Sequence, residues 1–364
     1  MAIHRITFGT FNTLNLHEAN KRVHRSNNYY SQANYEKKVK WVGGMLDKLE
    51  AEVVGFQEVW SKKALKEAIE SSNLFSENNI IEPTNNDNDS SVALVTTLKH
   101  GTPIWHKHFP AEFDLTSKDG GPSGPKVSVN FSRFSRPVLQ VMVKVPIKQN
   151  KTREVQVFVA HLKSKLPSEL DDASREKLWD IFGNGHTASG RLKLNKLGNK
   201  IATGMGSALA TVQRTTEAAA LRYIIAKEMY QNDRPVVVLG DLNDGARSVS
   251  TSIITGDPSY RTVIKTRQGR SNDTELFSAE WMQQYRSLSD VYYTHIYESR
   301  RESLDHVLVS EQFYDHSRKR IWTFEELKIF NDHLVDDHVL SEKDKTVSDH
   351  AAVTATFRHN PWNT

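Results

Sequence analysis

The stretch Val236-Val237-Val238-Leu239-Gly240-Asp241-Leu242-Asn243-Asp244-Gly245 is the strongest indication of the fold. Four apolar residues after Pro235 are typical of a buried strand, and the glycine and short polar residues that follow predict the turn that ends it. Side chains two apart on an extended chain point to the same side, so Asp241 and Asn243 are predicted to face one small volume at the rim of a sheet. A simple β-turn also explains them, because Asp, Asn and Gly are the usual turn residues.

Other apolar runs of the chain also meet a polar or ionisable residue at a predicted strand end. These residues are Asn12, Glu58, His161, Asp305 and the pair Asp349-His350. Each has an ordinary explanation of its own, since a strand-end Asn often forms a turn and a lone His is more often structural than catalytic. A glutamate between Phe56 and Val59 is different, because it is costly to bury unless a cation or hydrogen-bond donors meet it.

Helices and strands separate these positions. Apolar residues recur at helical spacing over residues 35–51, with charges on the opposite face, and a second helix is predicted at Lys62–Ser71. Paired strands are predicted at Phe134–Val145 and Glu154–Ala160, and Arg214, Glu217, Leu221 and Ile225 indicate a helix before the Asp241 strand. These elements could stack into two sheets.

Residues 165–212 fit this pattern least well. One short helix is predicted at Ser174–Phe182, and residues 183–200 are punctuated by glycines and basic, with no acidic residue. The segment is open to interpretation as a lid, as a loop that tracks phosphates, or as a solvated excursion. The cations that such a loop would offer to phosphates are Arg191, Lys193, Lys196 and Lys200.

Composition limits the chemistry. The 364 residues contain no cysteine, which excludes disulfides, thiolate catalysis and cysteine-bound zinc. Carboxylates and amides at strand ends then favour a hard divalent cation with oxygen ligands, Mg²⁺ or Mn²⁺. A net charge of +4 mildly favours an anionic partner. The chain shows neither a secretion signal at its start nor an apolar run of membrane-spanning length, so we expect a cytoplasmic protein without a membrane span.

Taken in order, the motifs resemble the endonuclease/exonuclease/phosphatase superfamily. They are Thr10-Phe11-Asn12, Phe56-Gln57-Glu58-Val59, Ala160-His161-Leu162-Lys163-Ser164-Lys165, Gly240-Asp241-Leu242-Asn243, Leu304-Asp305-His306 and Ser348-Asp349-His350. The resemblance covers nearly the whole chain. Finer details, including Arg214 with Glu217-Ala218, are most similar to a bacterial nuclease branch that includes secreted DNases, from which the absent signal peptide and the long segment after Lys165 depart.

The resemblance implies one domain over residues 1–364, with an insert at about 166–212, and a DNase-like α/β (α+β) fold. That fold is a four-layered sandwich of two packed mixed β-sheets flanked by helices, with the active site at one rim. The implied metal ligands are Asn12, Glu58 and Asp349. The implied catalytic residues are His161, Asp241, Asn243, Asp305 and His350. Lys163 and Arg214 are predicted to bind substrate, and the basic pattern of the insert adds Arg191, Lys193, Lys196 and Lys200 to them.

The implied roles are specific. Asp241 would orient and deprotonate the attacking water, and Asn243 would fix the phosphate. His161, together with His350 oriented by Asp305, would stabilise the pentavalent phosphorus and assist the leaving oxygen.

Three functions remain open at this point. The first is a metal-dependent nuclease hydrolysing DNA or RNA. The second is a phosphatase or phospholipase-like diesterase acting on inositol phosphates, sphingolipids or another small phosphoester, because the motifs handle the phosphate and the loops choose the rest. The third, a catalytically dead binding module, is disfavoured because no expected catalytic position is replaced. The sequence does not determine the oligomeric state.

Overall fold

The apolar run at residues 236–239 lies in the middle of a six-stranded sheet, and a second six-stranded sheet packs against it. The computed structural model describes residues 4–23, 30–84, 89–117, 126–148, 151–187, 189–258, 260, 274–287, 293–297, 300–335, 344 and 346–362.

The strands are β1 (Arg5–Leu16), β2 (Val53–Val59), β3 (Ile80–Ile81), β4 (Ser91–Thr96), β5 (Ile104–His108), β6 (Arg133–Lys148), β7 (Lys151–His161), β8 (Gly183–His186), β9 (Leu192–Leu194), β10 (Val236–Asp241), β11 (Leu276–Ser278), β12 (His295–Tyr297), β13 (Arg300–Glu302), β14 (Asp305–Ser310), β15 (Trp322–Phe330) and β16 (Ala352–His359). The helices are α1 (Gln32–Leu49), α2 (Lys62–Glu70), α3 (Asp172–Phe182), α4 (Lys196–Met229), α5 (Val249–Thr255) and α6 (Ala279–Gln284).

The first sheet has the order β15-β16-β1-β2-β4-β3 and the second has the order β11-β14-β10-β7-β6-β5. Both are mixed, since β1 and β10 each have one parallel and one antiparallel neighbour. Alternation along β10 divides its side chains between two cores. Val237 and Leu239 pack between the sheets, whereas Val236 and Val238 pack on the outer side.

Helices cover both outer faces. Val42, Leu46 and Leu49 of α1 pack on the outer side of the first sheet, and Leu221 and Ile225 of α4 pack on the outer side of the second. The resulting layers are helix, sheet, sheet and helix, which confirms the predicted four-layered sandwich. Within the described residues, no helix is both long and apolar enough to cross a membrane.

The insert forms a small folded lobe instead of an open loop. Strands β8 and β9 pair antiparallel, and Leu170, Leu178 and Leu194 form a separate apolar cluster with partly buried side chains of α3 and α4. Helix α4 already begins at Lys196, far before the predicted helix around Arg214.

The physical reason for this difference is visible at Gly198. Asn195 caps α4 by accepting a hydrogen bond from the Gly198 backbone N–H at 2.9 Å. A Cβ at Gly198 would lie 2.7 Å from Cβ of Phe182, so this glycine serves close packing of the helix and not chain flexibility.

Gly240 permits the closest backbone approach beside the predicted site. A Cβ there would lie 2.1 Å from the carbonyl oxygen of Ala160 on β7. We therefore expect Gly240→Ala to destabilise the protein by about 1–3 kcal/mol, because the two strands must move apart. Chemical denaturation measures the change. Gly44→Ala is the matched control, since nothing lies within 4 Å of that position on α1 and alanine favours a helix by about 0.5–1 kcal/mol. Equal stability of the Gly240→Ala variant and the wild type would contradict this account.

Candidate active site

Strand register brings three of the predicted residues side by side. Asp241 at the end of β10 pairs with His161 at the end of parallel β7. On its other side Asp241 pairs with Asp305 at the start of antiparallel β14. The three side chains therefore meet at one edge of the second sheet, and all three are buried.

The first sheet contributes residues to the same edge. Asn12 on β1 donates a hydrogen bond from Nδ2 to Oδ2 of Asp241 at 3.1 Å. Ser348 Oγ donates to the carbonyl oxygen of Asn12 at 2.7 Å and accepts from the backbone N–H of His350 at 3.0 Å. The loop that carries His350 is thus fixed to the strand that carries Asn12.

Asp241 lies at the centre of the site. Its Oδ1 accepts the backbone N–H of Asn243 at 2.8 Å, and its Oδ2 lies 3.4 Å from Nε2 of His161 and 3.9 Å from Nε2 of His350. Burial raises the pKa of Asp241 to about 7, with a contribution of the same sign from Asp305, while the charge of His350 acts in the opposite direction. A carboxylate with this pKa is suited to accept a proton near neutral pH.

His350 is held in its charged form. Its Nδ1 lies 2.8 Å from Oδ2 of Asp305. Burial acts to lower the pKa of His350, but the charges of Asp305 and Asp241 outweigh it and raise the pKa well above its usual value.

His161 is held in the neutral form. Burial lowers its pKa well below the usual value, and the charges of Arg136 and His350 act in the same direction. Among the described residues, Nδ1 of His161 has no hydrogen-bond partner. The two imidazoles beside Asp241 therefore differ in charge, which suits one to donate a proton and the other to bind without one.

Asn243 is fixed by the backbone around it. Its Nδ2 donates to the carbonyl oxygen of Leu162 at 3.0 Å, and its φ of 52° is in the left-handed region. Glu58 has a φ of 59°, again unusual for a residue other than glycine. Strained backbone at two of the predicted site residues is typical of functional positions.

The predicted metal ligands lie on the first-sheet side of the edge. Oε1 of Glu58 lies 3.4 Å from Nδ2 of Asn12, and Oε2 of Glu58 accepts the backbone N–H of Asn15 at 2.9 Å. Asp349 is half-buried next to His350. Carboxylate and amide oxygens without sulfur fit a hard divalent cation. In this structure Oδ1 of Asn12 accepts the backbone N–H of Leu14 at 3.0 Å, so binding a metal through that oxygen requires the side-chain amide to turn.

A second grouping of potential ligands is formed by Asp241, Asp305 and His350, whose ligand atoms all lie within 4.8 Å of one another. In this structure Nδ1 of His350 already contacts Oδ2 of Asp305 at 2.8 Å, so this grouping would bind a metal only if that contact were given up. Glu58, Asn12 and Asp349 remain the predicted ligands.

Glu217 braces the neighbouring loops and is completely buried. Its Oε1 accepts the backbone N–H of Ser135 and its Oε2 accepts the backbone N–H of Lys163, each at 2.9 Å. The Lys163 ammonium donates to the carbonyl oxygen of Leu166 at 3.1 Å, so it points into its own loop.

Arg214 is a buried brace as well. It is 5% exposed, its Nη1 lies 3.5 Å from the carbonyl oxygens of Lys163 and Ser164, and its Nε lies 3.5 Å from Oδ2 of Asp244. Arg214 therefore contacts the loops at the rim of the sheet and is shielded from solvent.

The four cations of the insert are not brought to the catalytic edge. Arg191, Lys193, Lys196 and Lys200 are exposed on the lobe, and none of them forms an ion pair with another residue that the structure describes.

Two residues near the site were not predicted. Arg136 donates from Nη1 to the carbonyl oxygen of Leu162 at 3.1 Å, and Lys38 of α1 is completely buried. A signal for Lys38 was present in the sequence, because it occupies the apolar face of α1 together with Tyr35 and Val42. It does not lie on the charged face, where the helical pattern was expected to place every charge.

A protein-family model matches nearly the whole chain. The model of the Endonuclease/Exonuclease/phosphatase family matches residues 9–350. No curated protein matches the chain.

Solved structures share the fold at low sequence identity. A protein of this family from Bacteroides thetaiotaomicron has a TM-score of 0.51 at 12% identity, covering 99% of each chain. A mannosyl-6-phosphatase from the same organism has a TM-score of 0.50 at 11% identity and covers 97% of this chain and 99% of its own. TDP2 of D. rerio, complexed with a single-stranded DNA product, has a TM-score of 0.50 at 12% identity and covers 97% of this chain and 98% of its own.

If His161 and His350 contact the reacting phosphate, each alanine variant should lose catalytic rate by about 10²–10⁴-fold while its melting temperature stays near that of the wild type. Steady-state kinetics and thermal unfolding measure the two effects. His106→Ala is the control, because His106 is partly buried on β5 and bonds to Gln140, outside the catalytic edge. A His161→Ala or His350→Ala variant that loses stability but keeps its specific activity would instead indicate a structural histidine.

Proposed function

Because the chain belongs to the endonuclease/exonuclease/phosphatase family, whose members hydrolyse phosphoesters, we propose that it is a divalent-metal-dependent phosphodiesterase that cleaves nucleic acid. The observation that carries the reaction class is the surroundings of Asp241, a buried carboxylate with a pKa of about 7 beside one neutral and one charged imidazole. This arrangement supports proton transfer and charge stabilisation at a phosphate.

In the proposed reaction Asp241 orients a water molecule and accepts its proton as the new oxygen–phosphorus bond forms. His350, as an imidazolium held by Asp305, donates a proton to the departing oxygen as the old phosphorus–oxygen bond breaks on the side opposite the attacking water. His161 and Asn243 hold the remaining phosphoryl oxygens in place. Positioning and neutralisation of charge carry most of the acceleration in such displacements.

Glu58, Asn12 and Asp349 are the residues that would hold Mg²⁺ or Mn²⁺. A divalent cation bound there supplies neutralisation of the charge that develops on the phosphoryl oxygens.

A groove beside the catalytic edge supports a polymeric substrate. It has a volume of about 870 Å³, and Ser135, Gln213 and Arg133 are among the residues that line it. Ser135 and Gln213 both bond to Glu217, whose other oxygen holds the backbone of Lys163. The groove is thus connected to the catalytic edge by two hydrogen bonds.

The lining of the groove offers both charge and apolar surface. Lys107 and Arg133 are exposed cations, and Leu209 and Val212 of α4 are about half exposed. A positively charged groove is suited to follow the phosphate backbone of a single strand.

Two buried hydroxyls in the groove also fit a ligand. Oγ of Ser90 and Oγ1 of Thr84 have no hydrogen-bond partner in the part of the chain that the structure describes. Unsatisfied buried hydroxyls are costly, and a bound polar group would satisfy them.

Helix α4 runs from the insert to the groove. Val212 in the groove and Lys196 at the start of α4 are separated by about 24 Å along one helix. A polynucleotide that leaves the groove along α4 would reach the exposed cations of the lobe, whereas a small phosphoester would not. The fold alone does not choose, because the neighbours include a mannosyl-6-phosphatase and a protein seen with single-stranded DNA.

The proposed chemistry predicts two losses of activity. Excess chelator should abolish hydrolysis and added Mg²⁺ or Mn²⁺ should restore it, because the candidate ligands are hard oxygens.

Asp241→Asn should lower kcat by about 10²–10⁴-fold or more with the fold retained. The measurement is a panel of plasmid, single-stranded DNA, RNA, inositol phosphate, sphingomyelin and an activated minimal phosphodiester. Full activity in chelator, or wild-type turnover by the variant, would contradict the proposal, and turnover of inositol phosphate or sphingomyelin alone would favour the small-phosphoester alternative.

The polymeric substrate predicts a charge effect. Replacing Arg191, Lys193, Lys196 and Lys200 with glutamine should weaken polynucleotide binding for all sequences alike, and each lost phosphate contact should flatten the log–log salt dependence by roughly 0.7–0.9. Cleavage of the minimal phosphodiester should not change. The control replaces four exposed lysines elsewhere, namely Lys40, Lys48, Lys99 and Lys144. An unchanged salt slope in the first variant would remove the insert from the binding surface.

A further inference from the structure

Lys38 is a completely buried lysine that bonds to the loop carrying Asp349. It lies on α1, facing the first sheet, with no part of the residue exposed. Its Nζ donates to the carbonyl oxygen of Val347 at 3.0 Å and lies 5.3 Å from the centre of the Trp41 ring. A buried lysine is costly unless carboxylates surround it, so its surroundings call for an explanation.

Nearby acidic side chains favour its charged form, although burial opposes it. Burial lowers the pKa of Lys38 to about 7, and the charges of Asp349, Glu58 and Asp344 act in the opposite direction. Two of these three residues are the candidate metal ligands. Lys38 therefore shares its carboxylates with the cation that the site would hold.

The hydrogen bond of Lys38 also fixes the loop that carries the site. Val347 is followed by Ser348, which bonds to Asn12, and by Asp349 and His350. His333 reinforces this arrangement, since its Nε2 lies 3.0 Å from the carbonyl oxygen of His350.

We propose that Lys38 is a positioning residue, a buried lysine that anchors residues 347–350 and, in its ammonium form, lowers the affinity of the site for a divalent metal. This rests on the proposed function, because it takes Glu58 and Asp349 as metal ligands. The role differs from ordinary packing in one respect. Removal of the Lys38 charge should tighten metal binding and lower the turnover rate. Removal of its packing contacts alone should lower both the metal affinity and the turnover rate.

The test is a titration of the full-length protein with Mn²⁺ in the absence of substrate. The electron paramagnetic resonance signal of free Mn²⁺ measures how much of the ion is bound. Lys38→Met keeps most of the apolar volume and removes the charge, and Lys38→Gln keeps a donor for Val347. We expect both variants to bind Mn²⁺ at least about tenfold more tightly than the wild type, because a neighbouring positive charge has been removed. We also expect kcat to fall, and Lys38→Arg to restore wild-type Mn²⁺ affinity.

Lys40→Met is the matched control, since Lys40 is an exposed lysine on the same helix, and it should change neither quantity. Equal or weaker Mn²⁺ binding by a folded Lys38→Met variant overturns the proposal. If that variant does not fold, the affinity of Lys38→Gln decides in the same way. Unchanged Mn²⁺ binding by the Glu58→Gln variant, with Lys38 in place, contradicts the proposed metal ligands instead. Failure of the Lys38 proposal and failure of the proposed function are therefore distinguishable.

Discussion

The hydrogen bond from Asn12 to Asp241 joins the edges of the two sheets, and the geometry of the site depends on it. Asn12 lies on β1 of one sheet and Asp241 on β10 of the other, and both are buried. Each sheet could be stable without this bond, because the apolar layer between them provides most of the packing. The bond links the end of β1 to the end of β10 at the edge where the predicted catalytic residues lie.

Burial gives neighbouring groups different chemistry. His161 and His350 both lie within 4 Å of the same Asp241 oxygen, yet the pKa of one is lowered and that of the other is raised. The difference comes from their second neighbours, since Asp305 bonds to His350 while the nearby charge at His161 is Arg136. A site built from similar residue types can therefore combine a proton donor, an acceptor and a neutral contact.

The proposed polymeric substrate rests on parts of the molecule outside this edge, namely the groove beside Ser135, helix α4 and the lobe at its start. The lobe has its own small apolar cluster, apart from the cores of the two sheets. A fold of this kind can host different functions, because the site and its loops decide the substrate and the fold does not.

The sequence by itself determined the order of the polar strand ends, and the layered fold followed from the resemblance that those motifs carry. Alternating and continuous apolar runs predict strands well, and the run at residues 236–239 identified a buried strand that ends in Asp241. Its neighbours on β7 and β14 were predicted to carry His161 and Asp305, but pairing between strands distant in the chain was decided only by the tertiary structure.

Tertiary structure also decided the residues whose roles depend on burial. Gly198 indicates a loop by local preference, yet it lies in α4 because Phe182 packs against it. Lys38 and Arg214 are ordinary surface residues by type, and they are buried because carboxylates or carbonyl oxygens from distant segments meet them. Local sequence sets which backbone conformations are favourable, but the free energy of a buried charge depends on neighbours that only the folded chain brings together.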